Sequence, residues 1–411
     1  MSHQNYPIAF EKLKQVSESE STPVYCYDER TIRNRCRSAK EIFSTLPVQW
    51  LYAMKANDNP HILKIFQTEN IGFDTVSYEE VLLGLRFVDT PSRIFYTENN
   101  MTDAEMEGAI EAGVTLNIGS LTRLTSFCKH PKTQTCSIRI NPKIGDGHHS
   151  KVVTGNKDSK FGIRIDLIPD CINIAKKHGV RITGIHAHIG SGIQNPGNFK
   201  SAMQTLLIAA SEFPDLEAIN FGGGIPIPYR PDDLEFSLDD FSKLIGNLLN
   251  DDFKRRKNKI TYFFEPGRWL VGPAGVLMTR VNTVKDQGNK VFLGTDTGFN
   301  HLLRPALYDA YHHVVNISKL DGEATRIYDV AGNICESGDI LAVDRMLPIT
   351  EIGDLLAIRD TGAYGMTMAS NYNRRALPSE VLITLDGQEK NIRARKSAAQ
   401  QVEELFEETG F

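Results

Sequence analysis

The sequence lacks three features that would indicate a membrane, a nucleic acid or a zinc ion. No apolar run approaches the roughly 20 residues that a transmembrane helix needs. A formal net charge of −5 provides no basic surface for a nucleic-acid backbone. The six cysteines are scattered over 411 residues without a CxxC pair, which disfavours a zinc site and a disulfide framework. We therefore predict no metal, no membrane partner and no nucleic-acid partner.

A signal peptide, low-complexity segments and short repeats are also missing. The opening residues, MSHQNYPIAFEKLKQ, contain no apolar signal core. Together with the scattered cysteines, this favours a reducing cytoplasm. The chain is long enough, at 411 residues and 41% hydrophobic, to bury a large core divided between two or three domains.

Short apolar runs alternate with helix-length segments in the first two thirds of the chain. The runs predict strands at 48–55, 72–77, 93–97, 115–119, 136–141, 182–188, 218–221 and 260–265. Helical patterns between them include 77–87, 102–112, 201–212 and 238–253. This alternation is typical of right-handed βαβ units around a parallel sheet. Eight such units favour a closed (β/α)8 TIM barrel in an α/β protein.

The pattern changes after about residue 267. Strand-like runs at 275–285, 290–296, 324–331, 354–358 and 379–384 follow one another without long helices, and a helix is predicted at 397–406. This indicates an antiparallel β domain. We expect the early strand at 22–28 to join it. The predicted domains are residues 31–266 for the barrel, and residues 1–30 with 267–411 for the β-rich domain.

Polar residues stand where the barrel strands are predicted to end, the position of the active site in barrels of this type. They are Lys55, Asp74, Arg139, His188, Glu265 and Arg268. A desolvated lysine has a lowered pKa, and its neutral amine can form an imine with a carbonyl group. Taken alone, Lys55 is more simply a lysine whose stem is buried and whose amine reaches water.

Two glycine-rich turns follow the sixth and seventh predicted strands, Gly190-Ser191-Gly192 and Gly222-Gly223-Gly224. Glycine lets backbone N–H groups approach a phosphate, although a tight turn is the simpler interpretation of either alone. Glu265 can pair with Arg268 or with a cationic ring nitrogen. His188 can be a core histidine or can stack on a ring. Together, these groups predict pyridoxal 5′-phosphate (PLP) as the cofactor.

A second set of polar residues lies in the predicted β domain, within segments 304–311, 335–339 and 360–366. Arg304 can hold a carboxylate through two hydrogen bonds, Glu336 can bind an ammonium group, and Cys335 can donate a proton. A surface salt bridge and an inert cysteine are the alternatives. The loop at 145–160, with His148, His149 and Lys151, follows the fifth strand, where a mobile lid is plausible.

The motifs YAMKAN, HIGSG, GGG, EPGR, CESGD and GAYGM, in this order, resemble those of the fold-type III PLP-dependent decarboxylases, which share an alanine-racemase-like barrel. The segments GHHSKVVTGNKDSKFGI, RPALYDAYHH and MASNYNRRALPSEVLI are similar, more narrowly, to the diaminopimelate decarboxylase family. The resemblance extends from residue 24 to about residue 383.

The resemblance implies a role for each matching residue. Lys55 would hold PLP, His188 would stack on its ring, and Glu265 would pair with its nitrogen. Phosphate contacts would come from Ser191, Gly223, Gly224 and Tyr364, and the remaining cofactor-binding residues would be Asp74, Arg139, Gly222, Gly267 and Arg268. The substrate would be held by Arg268, Arg304, Tyr308, Glu336 and Tyr364. Cys335 would act as the acid and, with Glu336, would come from the partner subunit of a homodimer.

The reaction implied by the resemblance is decarboxylation of meso-2,6-diaminopimelate at its D-centre, which yields L-lysine and CO2 as the last step of lysine biosynthesis. The main alternative is a decarboxylase of ornithine, arginine or carboxynorspermidine on the same fold. A racemase is less consistent with Cys335, because racemases of this fold use a tyrosine as the opposing base. A non-catalytic PLP carrier is less consistent with Lys55, Cys335 and Arg304 occurring together.

Overall fold

Strands alternate with helices up to residue 264, and strands predominate after it. The computed structural model describes residues 6–147, 149, 151, 153–155, 159–193, 195–256 and 258–410. The strands are β1 (Val24–Asp28), β2 (Val48–Ala53), β3 (Gly72–Thr75), β4 (Ile94–Thr97), β5 (Thr115–Ile118), β6 (Thr135–Asn141), β7 (Ile163–Arg164), β8 (Arg181–His186), β9 (Ala218–Asn220), β10 (Thr261–Phe264), β11 (Gly275–Asp286), β12 (Val291–Thr295), β13 (Val314–Asn316), β14 (Arg326–Ala331), β15 (Ile340–Leu347), β16 (Leu355–Arg359), β17 (Ser379–Ile383) and β18 (Glu389–Arg393).

The α-helices are mostly short. They are α1 (Phe10–Ser19), α2 (Glu29–Ile42), α3 (Pro60–Thr68), α4 (Tyr78–Gly84), α5 (Asp103–Ala112), α6 (Leu121–Lys129), α7 (Ile168–Lys177), α8 (Pro196–Ala209), α9 (Leu238–Arg255), α10 (Arg268–Val271), α11 (Arg304–Tyr308) and α12 (Ala398–Thr409). In the described parts of the chain, no helix combines the length and the apolar character needed to span a lipid bilayer.

Eight parallel strands close into a barrel. Their order is β5-β4-β3-β2-β10-β9-β8-β6, and an additional pairing of β5 with β6 completes the ring. The short β7 adds to β6 in parallel. The predicted (β/α)8 barrel is therefore confirmed. The apolar runs were readable because strands covered on both faces need few polar residues: Tyr52, Phe73 and Phe264 are completely buried.

Side-chain caps begin several helices of the barrel unit. Ser77, Ser120 and Ser237 each accept a hydrogen bond from a backbone N–H in the first turn of α4, α6 and α9. Thr102 and Glu105 form a reciprocal capping box at α5. Such caps satisfy N–H groups that have no partner inside the helix. They therefore help to define the residue at which each of these helices begins.

The remaining strands form a second sheet, ordered β15-β14-β12-β11-β1-β17-β18, with β16 joined to β11 and β13. Most pairs are antiparallel, as predicted, but β1 pairs with β17 and β12 with β14 in parallel. The sheet is therefore mixed. The early strand β1 joins it between β11 and β17, where Val24, Cys26, Val276 and Met278 contribute to one buried cluster.

The chain divides into two compact units. The barrel unit comprises Arg33–Ile227 and Glu235–Leu270, and the β-rich unit comprises Met1–Ile32, Pro228–Leu234 and Val271–Phe411. The segment Pro228–Leu234 lies inside the range 31–266 predicted for the barrel, yet it belongs to the β-rich unit. Its Tyr229 packs edge-on against His312 of that unit, with ring centroids 5.3 Å apart.

Candidate active site

Lys55 lies just past the end of β2, in a single 3₁₀ turn formed by Met54–Ala56. The predicted strand 48–55 thus ends two residues early, at Ala53. The Lys55 Nζ atom donates a hydrogen bond to Asp74 Oδ2 of β3 at 3.2 Å. The lysine side chain is 38% exposed and that of Asp74 is 2% exposed. The amine is therefore accessible, while the carboxyl group that holds it is buried.

Asp74 is poised between its protonated and charged forms. Burial, reinforced by the nearby Glu265 carboxylate, raises the pKa of Asp74 to about 7, against the opposing effect of Lys55. Its Oδ1 atom is buried without a hydrogen-bond partner among the described residues. A buried polar atom of this kind is unfavourable unless a further group satisfies it.

Glu265 follows β10 directly and is held by two side chains from neighbouring strands. Its Oε2 atom lies 2.9 Å from His186 Nε2, and its Oε1 atom accepts a hydrogen bond from Asn220 Nδ2 at 2.5 Å. All three residues are buried. Burial alone would raise the pKa of Glu265, but the contact with His186 lowers it below its usual range. The carboxylate is therefore anionic at neutral pH.

His188 lies two residues beyond β8 and is half-buried. Burial, aided by the positive charges of Lys55 and Arg139, holds its pKa well below the usual range. The Gly223 N–H donates to His188 Nδ1 at 3.1 Å, so this nitrogen must be the unprotonated one. The imidazole is neutral and carries its proton on Nε2.

The glycine turn Gly222-Gly223-Gly224 follows β9. Gly222 and Gly224 have φ angles of +70° and +104°, a region that disfavours other residues. At Gly223 a Cβ atom would lie 2.2 Å from the main-chain oxygen of Glu265. The tight-turn interpretation is therefore correct. In addition, the Gly224 N–H has no hydrogen-bond partner among the described residues, which leaves it available to an anion.

Arg268 opens α10 and turns towards β8 rather than towards Glu265. Its Nη2 atom donates to Ser191 Oγ at 2.9 Å. Among the described residues, the ion pair between Glu265 and Arg268 that the sequence left open is not formed. A Cβ atom on Gly267 would lie 2.9 Å from Ala56 Cβ, so this glycine permits close contact with the turn that carries Lys55.

Arg139 is a buried cation of the barrel site. It lies on β6 and is 6% exposed, and its guanidinium group stacks 4.6 Å from the centroid of the Phe161 ring. Burial lowers the pKa of Arg139 to about 10, which still leaves the group charged at neutral pH. It adds positive charge to a site that contains two carboxyl groups.

The β-rich unit carries the other predicted residues. Arg304 begins α11 and is 1% exposed. Its Nη1 atom lies 2.7 Å from His312 Nε2, and its guanidinium group stacks 4.6 Å from the Tyr229 ring centroid. Tyr308 ends the same helix. Tyr364 follows β16 in a left-handed conformation, with φ of +58°, which is uncommon outside glycine.

Cys335 and Glu336 differ from these residues because both are exposed. The Cys335 N–H donates to Asn373 Oδ1 at 3.0 Å. Glu336 Oε1 accepts a hydrogen bond from the Tyr372 hydroxyl at 2.6 Å. Cys335 is thus not a buried cysteine, whereas the other five cysteines are buried.

The predicted lid, residues 145–160, lies partly outside the described residues, and His148 is among those not described. Val153 forms an isolated bridge with Gly190, and the Thr154 hydroxyl donates to the main-chain oxygen of His188 at 2.8 Å. The described part of this loop therefore contacts the segment that carries His188 and Ser191.

The barrel residues fit PLP. Lys55 supplies an accessible amine, Glu265 an anionic acceptor for a protonated ring nitrogen, and His188 a neutral flat ring. Asp74 Oδ1 and the Gly224 N–H provide an acceptor and a donor that the described protein does not satisfy internally. These are the functional groups that a phosphorylated pyridine aldehyde requires.

Fold and site together define a PLP-dependent decarboxylase of the barrel type. The family described as "Pyridoxal-dependent decarboxylase, pyridoxal binding domain" matches residues 29–272. The diaminopimelate decarboxylase of Methanothermobacter thermautotrophicus is 40% identical over 93% of this chain and 91% of its own length. The chain belongs to the diaminopimelate decarboxylase family.

Other relatives agree. The diaminopimelate decarboxylase of Archaeoglobus fulgidus is 35% identical over 91% of each chain. The crystal structure of diaminopimelate decarboxylase from Helicobacter pylori complexed with L-lysine superposes with a TM-score of 0.88. It is 31% identical and covers 97% of this chain and 100% of its own. The similarity thus extends over both units.

The sequence did not identify the residues that position Glu265 and Arg304. His186 and Asn220 hold Glu265, and His312 and Tyr229 hold Arg304. The register of the barrel places Arg139, His186 and Asn220 side by side on β6, β8 and β9. The available signal was weak: His186 and Asn220 are polar residues that end the short strands β8 and β9.

Proposed function

We propose that this chain removes CO2 from the D-centre of meso-2,6-diaminopimelate to produce L-lysine, the last step of lysine biosynthesis. The observation that carries the proposal is the anionic Glu265 held beside an accessible Lys55 at the carboxyl ends of the barrel strands. This combination suits a PLP ring whose nitrogen must stay protonated. When bound, PLP withdraws the electrons left by the broken Cα–carboxylate bond.

In the proposed barrel site each residue has one task. Lys55 attaches PLP, Glu265 accepts the ring N–H, and the neutral His188 faces the ring. Because Gly223 occupies His188 Nδ1, the histidine keeps a fixed orientation and adds no second positive charge next to the ring. The remaining cofactor contacts are assigned to Asp74, Arg139, Ser191, Gly222, Gly223, Gly224, Gly267, Arg268 and Tyr364.

The proposed substrate residues match a molecule that is an amino acid at both ends. Arg304, with Arg268 and Tyr308, holds the distal carboxylate, and Glu336 holds the distal ammonium group; Tyr364 lies at the same end. Arginine suits a carboxylate because its planar N–H groups can form two parallel hydrogen bonds. Ornithine has no distal carboxylate for Arg304, which favours diaminopimelate over the alternatives of ornithine, arginine and carboxynorspermidine.

Cys335 is proposed to return a proton to Cα once CO2 has left. Its thiol is exposed on the β-rich unit, as is the carboxylate of Glu336. Ile327 and Met346 are paired across β14 and β15 and are 52% and 53% exposed. Exposed apolar pairs on a sheet edge favour a protein partner. These features support a homodimer in which one subunit supplies Cys335 and Glu336 to its partner.

The cytoplasm is the proposed compartment, supported by six cysteines that form no disulfide in the described structure.

The substrate proposal is tested by measuring CO2 release from PLP-loaded protein. We expect kcat/KM for meso-diaminopimelate to exceed that for ornithine, arginine and carboxynorspermidine by on the order of 10³-fold, because these alternatives leave Arg304 unpaired. Faster release from any of the three would show that the substrate assignment is wrong.

A further inference from the structure

Arg304 is oriented by a neutral acceptor. Its Nη1 atom lies 2.7 Å from His312 Nε2, and on the other side of the ring His312 Nδ1 lies 2.8 Å from the main-chain oxygen of Arg359. A carbonyl oxygen can only accept a hydrogen bond, and a guanidinium group can only donate one. The proton of His312 is therefore on Nδ1, and its Nε2 lone pair faces Arg304.

The surroundings hold this arrangement in place. His312 is completely buried and Arg304 is 1% exposed. Tyr229 touches both, since its ring lies edge-on to His312 with centroids 5.3 Å apart and stacks 4.6 Å from the Arg304 guanidinium carbon. An arginine side chain has several rotatable bonds, and packing on two sides removes that freedom before a ligand arrives.

The chemical nature of the acceptor matters. A carboxylate in place of the imidazole would also orient the guanidinium group, but its negative charge would weaken the attraction for an incoming carboxylate. A neutral imidazole sets the direction of the N–H groups and leaves the positive charge in place. The main-chain oxygen of Arg359 guarantees the required tautomer.

We propose that His312 is a positioning residue for substrate selection: it holds Arg304 in the orientation that binds the distal carboxylate. This inference rests on the proposed function, which assigns that carboxylate to Arg304. His312 itself touches neither the reacting carbon nor the cofactor in this proposal, so its removal should raise KM much more than it lowers kcat.

The test separates the two hydrogen bonds of His312. In His312→Gln the amide oxygen can take the place of Nε2 and still accept from Arg304. In His312→Asn the shorter amide can take the place of Nδ1 and still donate to Arg359, but it cannot reach Arg304. The neighbouring His313→Asn is the matched control, because the His313 side chain contacts the Tyr311 hydroxyl instead.

With PLP-loaded protein, we expect His312→Asn to raise KM for meso-diaminopimelate by about 10-fold or more, the effect of losing one hydrogen bond to a charged group. His312→Gln should recover most of this loss, and His313→Asn should match wild type. D-lysine has the reacting D-centre and the distal amine but lacks the distal carboxylate. Its Kd, measured from the absorbance of bound PLP, should change less than about 2-fold in every variant.

Three outcomes would overturn the inference: an unchanged KM in His312→Asn, no recovery in His312→Gln, or an equal loss of D-lysine affinity, which would indicate general damage to the unit. Arg304→Gln is measured in parallel. If Arg304→Gln raises KM and His312→Asn does not, only the positioning role fails. If Arg304→Gln leaves KM unchanged, the assignment of the distal carboxylate, and with it the proposed function of Arg304, is wrong.

Discussion

Glu265 of the barrel unit is buried and is held by two buried side chains, whereas Cys335 and Glu336 of the β-rich unit lie at its surface. Glu265 has two side-chain partners inside the barrel. Glu336 accepts a hydrogen bond from Tyr372, which is itself exposed. Buried charged groups need preset partners because water cannot compensate them. Glu265 is thus positioned by the fold itself, whereas the proposed role of the exposed pair depends on the proposed homodimer.

The largest effect is expected from Lys55→Ala, which removes the amine proposed to attach the cofactor. We expect kcat/KM to fall by on the order of 10³-fold or more, and the visible absorbance of attached PLP to disappear. Tm should also fall, because the buried Asp74 carboxyl group loses the amine that donates a hydrogen bond to it. Activity within 10-fold of wild type would show that the barrel site does not depend on this amine.

Glu265→Gln keeps the shape of the side chain and removes its charge. Without an anion to keep the ring nitrogen protonated, kcat should fall by on the order of 10²-fold, with the cofactor still bound. The matched control is Glu69→Gln, a buried carboxylate elsewhere in the barrel unit that pairs with Arg33 and Arg37. Glu69→Gln should lower Tm and leave kcat unchanged. If Glu265→Gln has a kcat similar to that of wild type, the role assigned to the Glu265 charge is wrong.

Cys335→Ala is expected to affect catalysis much more than stability. Loss of the proton donor should lower kcat by about 10- to 100-fold and leave Tm almost unchanged, because the cysteine is exposed. Cys171→Ser, at a buried position, should lower Tm and leave kcat intact. Full activity in Cys335→Ala would exclude the thiol as the acid.

The smallest effect concerns the stability of the cofactor-free protein. Burial raises the pKa of Asp74 from 3.8 to about 7, so between about pH 4 and 7 the folded state retains a proton that the unfolded state releases. Stability from this group therefore falls as pH rises through that window. Asp74→Asn has no carboxyl group to titrate at this position. The Tm of Asp74→Asn minus the Tm of wild type should therefore increase by a few degrees between pH 4 and pH 7. A constant Tm difference between Asp74→Asn and wild type across this range would contradict the raised pKa of Asp74.

The contrast between buried and exposed residues also explains which strands the sequence could predict. The barrel strands were found because burial on both faces produces apolar runs such as those ending in Ala53 and Phe264. The strands β13, β15 and β18 were missed: β13 is only three residues long, and β15 and β18 are partly exposed and carry charged residues. A three-residue strand is too short to show a period, and burial along β15 and β18 does not alternate from residue to residue, so neither strand has the period of two that identifies a half-buried strand.

The site residues also divide into those that the sequence could predict and those that it could not. Lys55 and Glu265 were predictable because each stands at the end of an apolar strand. His186 and Asn220 were not, because their roles depend on the register between strands, which places them opposite each other. Tyr229 was missed because it reaches Arg304 across 75 positions of sequence, a contact that local patterns do not encode.

The contact at Gly223 has a consequence for how this site can change. The glycine lies so close to the main-chain oxygen of Glu265 that a methyl group would displace it, and the main chain of Glu265 also donates to Gly222 at 2.9 Å. The turn suited to a phosphate and the carboxylate suited to a ring nitrogen are therefore mechanically linked. A mutation that shifts the turn at Gly222-Gly223-Gly224 would therefore also shift Glu265, and so would change both of the proposed cofactor contacts together.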